Sequence, residues 1–73
     1  MSVRLHRAFY MHAAITDAAG TFADFASFRI AADGDHYVVE ITDVDPDTDG
    51  DVVAEFCNFA LANTAIRARN RNA

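Results

Sequence analysis

Residues 27–42 constrain the fold more than any other stretch. Phe28 and Ile30 alternate with Ser27 and Arg29. After Ala-Asp-Gly-Asp the alternation resumes, with Tyr37, Val39 and Ile41 against Val38, Glu40 and Thr42. A period of two is that of a strand with one buried face. Asp33-Gly34 between two such runs signals a hairpin, because a tight primed turn needs positive φ, which glycine adopts without steric cost. The stretch predicts two antiparallel strands that share one apolar face, and that face must be covered.

The remaining blocks supply the cover. From Val3 to Met11, Val3, Leu5, Phe9 and Met11 share one parity, and Arg4, His6, Ala8 and Tyr10 the other. This reads as another half-buried strand, with Arg7 as an exception on its apolar side. From His12 to Ala26, Ile15, Ala18, Ala19, Phe22, Phe25 and Ala26 fall at helical spacing, with Gly20 inside the run as a place for close approach to the sheet. From about Gly50 to Arg69, Val52, Phe56, Phe59, Ala60, Asn63 and Ile66 form a second helical stripe, which Val53, Cys57 and Leu61 widen. The order is β-α-β-β-α. It predicts an α+β, two-layer sandwich in which both helices cover one face of a three-stranded sheet. A right-handed first crossover makes the first two strands parallel. The other face shows Arg4, His6, Tyr10, Arg29, Val38 and Glu40, which is the surface expected to meet a protein or peptide partner, or a second copy of the chain.

Seventy-three residues make a single small domain, 1–73, whose own core supplies about 3–5 kcal/mol. The 52% apolar content excludes disorder, and no apolar run is long enough to span a bilayer. The net charge is −5, and nine of the eleven acids lie between Asp33 and Glu55. An acidic domain repels phosphate backbones, so nucleic acid is not an expected partner, and without a spanning run neither is a membrane. The basic residues are six arginines, three of them (Arg67, Arg69 and Arg71) in a segment, 67–73, that reads as a frayed tail. One cysteine and no secretory pattern at the N-terminus point to the cytoplasm.

Asp43 to Phe56, "DVDPDTDGDVVAEF", resembles the start of a calcium loop. Asp45, Asp47 and Asp49 stand at positions 1, 3 and 5, Gly50 at 6 and Val52 at 8. Position 12 is Phe56, which cannot ligate, and Glu55 one residue earlier is turned about 100° away on a helix. The favoured reading is a connector whose last acids cap the final helix through backbone N–H groups. A weak calcium site is the alternative.

The other chemistry-bearing residues are sparse. His6 and His12 would lie roughly 20 Å apart on a strand, too far to share a metal, and His36 sits beside the hairpin turn. All three read as surface histidines. Cys57 reads as a small core hydrophobe. There is no Gly-rich phosphate loop, no CxxC and no nucleophile-base-acid set. The expectation is therefore a protein with no catalytic residue and no cofactor.

Two stretches carry a family resemblance. "AAGTFADFASFRI" (Ala18 to Ile30) resembles the helix-to-strand passage of the small D component of the His-Xaa-Ser peptide-modification systems, with paired alanines, an aromatic, Asp and then an alternating strand. "VAEFCNFALANTAIR" (Val53 to Arg67) resembles that family's second helix, with Glu55, Phe56, Asn58 and Leu61 at its Glu-Phe-x-Asn…Leu positions. Gly20 departs from it, standing where the family has a large residue. The resemblance implies an accessory protein that works beside radical-SAM maturases on a ribosomally made peptide. It carries no catalytic residue onto this chain.

Overall fold

A computed structural model describes residues 1–46 and 51–71. The elements are β1 (Ser2–His6), α1 (His12–Thr21), β2 (Ser27–Asp33), β3 (His36–Thr42) and α2 (Val52–Arg71). The β-α-β-β-α order and the α+β class are as the sequence predicts. The hairpin turn is Gly34-Asp35, closed by the Asp33–His36 pair. Gly34 has φ +59°, whereas Asp35 is not among the positive-φ residues. Glycine first is the type II′ pattern, whose twist matches that of the strands.

Strand order is β1-β3-β2, with both pairings antiparallel. β1 and β2 therefore run parallel to each other, as expected, but β3 lies between them. Register sets the two faces. Val3, Leu5, Phe28, Ile30, Ala32, Tyr37, Val39 and Ile41 occupy one. Both helices cover that face: Leu5, Val39 and Ile41 pack in one cluster with Ile15 and Ala18 of α1 and with Val52, Phe56 and Ala60 of α2. Phe56 is fully buried and stacks on Phe28, with ring centroids 4.7 Å apart, and Phe22 meets Phe59 edge-on at 5.9 Å.

Element ends differ from expectation in physically informative ways. β1 stops at His6, not Met11, because the N–H groups of Phe9 and Tyr10 turn back to the His6 carbonyl. Arg7, the exception to the alternation, thus lies past the strand. Its N–H donates to the Asp35 carbonyl and its guanidinium lies over the Tyr37 ring. α1 ends at Thr21, and a turn through Phe22–Phe25 follows. No atom lies within 4 Å of a Cβ built on Gly20, so this glycine does not serve a close approach to the sheet. α2 begins on Asp51, whose carboxylate accepts from the N–H groups of Val53 and Ala54 (3.0 and 3.2 Å). Asp51 is thus a helix cap of the kind expected from the last acids of the connector. α2 then continues to Arg71 through residues expected to fray, and Arg67 reaches Asp17 of α1 and Asn63. Leu61 and Ile66, assigned to the inner stripe, face outward at 47% and 54% exposure.

Candidate functional site

The sheet face away from the helices gathers polar side chains from all three strands in register. It carries four cross-strand rows. Ser27 stands beside Thr42; Arg29 beside Glu40 and Ser2; Ala31 beside Val38 and Arg4; Asp33 beside His36 and His6. Alternation puts these side chains opposite the core, and with both helices on the other side nothing among the described residues covers them. Arg4, Arg29 and Glu40 are exposed, while Val38, His6 and His36 are partly buried by their neighbours.

Five of the six residues expected on this face are there: Arg4, His6, Arg29, Val38 and Glu40. Tyr10 is not. With β1 ending at His6, Tyr10 falls in the turn before α1 and packs against the core cluster. The face also holds Asp33 and His36, which were read only as turn neighbours. Their parity with Arg29 and Val38 was available in the sequence; their meeting with β1 was not.

Electrostatically the face is mixed. The Arg4 guanidinium donates to the Asp33 carboxylate at 3.2 Å, bridging from β1 to β2 across the central strand. Both partners are well exposed, so the pair contributes little to stability. At the opposite end a depression is lined by Ser27, Phe28, Arg29, Glu40 and Thr42. Between these ends lie Ala31 and Val38, an apolar patch whose row is closed by Arg4.

The histidines are arranged unlike their sequence spacing. His6 and His36 meet across the strands, ring centroids 4.8 Å apart at 73°. The Ala8 N–H donates to His6 Nδ1 at 3.0 Å, and Phe9 lies against the same ring at 5.6 Å. His12 is separate, beside Tyr37 on the helical side. Among the described residues no group of three or more His, Cys, Asp or Glu side chains is gathered as for a metal. Of the calcium-loop candidates, Asp47 and Asp49 lie outside the described residues. Asp45 is partly buried, and its N–H donates to the Phe25 carbonyl at 2.7 Å, which ties the connector to the start of β2.

Cys57 is partly buried on α2 and packs against the core. Burial first, and the Asp51 carboxylate second, raise its thiol above the ordinary value, which disfavours the thiolate. Among the described residues no helix is long and apolar enough to cross a membrane. No protein-family model, curated protein or solved structure matches this chain.

Proposed function

We propose that the chain is a non-enzymatic binding module that holds a protein or peptide partner on its open sheet face. The observation that carries this reading is the uncovered face itself, where Ala31 and Val38 form an apolar patch bounded by the Arg29–Glu40 pair on one side and by Arg4, paired with Asp33, on the other. An apolar centre flanked by charges is the general anatomy of a contact surface. β2 adds a seven-residue edge strand along the same face, and unpaired strand edges accept extended peptides by main-chain hydrogen bonding. The resemblance in Ala18–Ile30 and Val53–Arg67 suggests the setting, an accessory to ribosomal-peptide modification, with the leader or core peptide as the occupant. A single cysteine, and so no disulfide framework, fits a cytoplasmic working place.

The test is a pull-down in EDTA that compares the native chain with Arg29→Glu/Val38→Glu. Both positions lie on the open face, so the variant should keep the native circular dichroism. The expected result is a partner retained by the native chain and lost by the variant. Equal retention by both would move the contact off this face.

A further inference from the structure

We propose that His6 and His36 form a chelating site for a borderline divalent cation of the Zn²⁺, Ni²⁺ or Cu²⁺ type. Register makes the case. Met1 and Ile41 exchange both backbone hydrogen bonds (3.0 and 2.6 Å), and the Arg7 N–H donates to the Asp35 carbonyl at 2.8 Å. Hydrogen-bonded pairs alternate along an antiparallel ladder, so His6 and His36 occupy a non-hydrogen-bonded position, where Cα atoms approach to about 4.5 Å and side chains are closest. Two imidazoles at such a position converge on one point above the sheet. The ring centroids are already 4.8 Å apart, and both rings are partly buried, which limits the orientations they must give up on binding.

The donor type selects the ion. Imidazole suits Zn²⁺, Ni²⁺ and Cu²⁺, whereas Ca²⁺ and Mg²⁺ take oxygen ligands. Asp33 is next in the same row, but its carboxylate is engaged by Arg4. The chain therefore supplies two ligands and leaves the other coordination positions to water or to a donor from whatever lies on the face.

The Ala8 N–H to His6 Nδ1 bond gives the site a signature. A neutral ring that accepts at Nδ1 carries its proton on Nε2. Binding metal through Nε2 moves that proton to Nδ1 and breaks the Ala8 bond; binding through Nδ1 displaces it. Either way the Ala8 amide reports occupancy.

The experiment is a titration of the folded chain with Zn²⁺ at pH 7.5, followed by ¹H–¹⁵N spectra of the amides and of both imidazoles. The expected result is a saturable 1:1 shift of His6, His36 and Ala8. His6→Gln and His36→Gln should each weaken binding at least tenfold, and Cu²⁺ should bind more tightly than Zn²⁺. Millimolar Ca²⁺ should not compete. Zinc shifts confined to the acidic connector, or unaffected by His36→Gln, would overturn the assignment. The connector lies at the other end of β3, roughly 20 Å away, so the two outcomes are separable. Because the pull-down is run in EDTA, failure of either proposal leaves the other standing.

Discussion

Phe56 is fully buried, stacks on Phe28 and sits where α2 meets the sheet. Removing a buried aromatic ring costs about 3–5 kcal/mol, and a domain of this size holds about that much in total. Phe56→Ala is therefore expected to abolish the cooperative thermal transition seen by circular dichroism; a sigmoidal melt within a few degrees of native would refute the assignment. Asp51 does two jobs at once. Its carboxylate caps α2, so Asp51→Ala should cost about 1 kcal/mol and lower Tm by roughly 4–8 °C, whereas Asp51→Asn keeps most of the cap. Its charge also raises the Cys57 thiol, secondary to burial. Alkylation of Cys57 near pH 8 should thus run slower than that of a free thiol, and Asp51→Asn should speed it. The folded thiol pKa lies above the unfolded one, so the native state keeps its proton longer. That contribution to stability is full below the unfolded value and is lost as pH rises through the folded one. Cys57→Ala should flatten the alkaline arm of the stability profile.

At the scale of elements, glycines separate the two kinds of helix and turn requirement. Gly20 is exposed in the last turn of α1 and a Cβ there meets nothing, so Gly20→Ala should stabilise by about 0.5–1 kcal/mol, measured by urea unfolding. Gly34 also has open space, but its φ of +59° makes any side chain strained; Gly34→Val should cost about 1–2 kcal/mol and Gly34→Asn less. The hairpin was legible because its signal is local: alternation on both sides of a glycine turn. The ends of β1 and α1 were not. Phe9 and Met11 continue the parity of Val3 and Leu5, so periodicity alone extends the strand through a turn whose hydrogen bonds return to His6. Phe22 continues the helical stripe of α1 because the turn that follows still buries it beside Phe59. Arg7 was the better signal, since an arginine on the apolar parity marks the place where the strand has ended.

On the scale of the whole molecule, two layers enclose one core and, among the described residues, leave one sheet face open. Arg4, His6, Arg29 and Val38 were legible on that face from parity, which needs no knowledge of pairing. The His6–His36 contact was not, because it depends on β1 lying against β3 with a particular register, and the loop-closure between them passes through α1 and β2. The same topology spreads the core over the whole chain. β1 pairs with β3 across the intervening α1 and β2, and the shared face is closed by α2, which supplies Val52, Phe56 and Ala60 to a cluster otherwise built from the sheet, α1 and Ala26. Residues 1–46 alone would expose that face along Val39 and Ile41, and chains near 40 residues seldom fold without a disulfide, a metal or a partner. The peptide 1–46 is therefore expected to give a disordered circular dichroism spectrum and collapsed amide dispersion. Adding a peptide of residues 51–71 should restore the dispersion of Val39 and Ile41, since α2 brings the missing side of the core and not a separate folding unit. A 1–46 peptide that showed native dispersion by itself would place the stability of the molecule in the sheet and α1 instead.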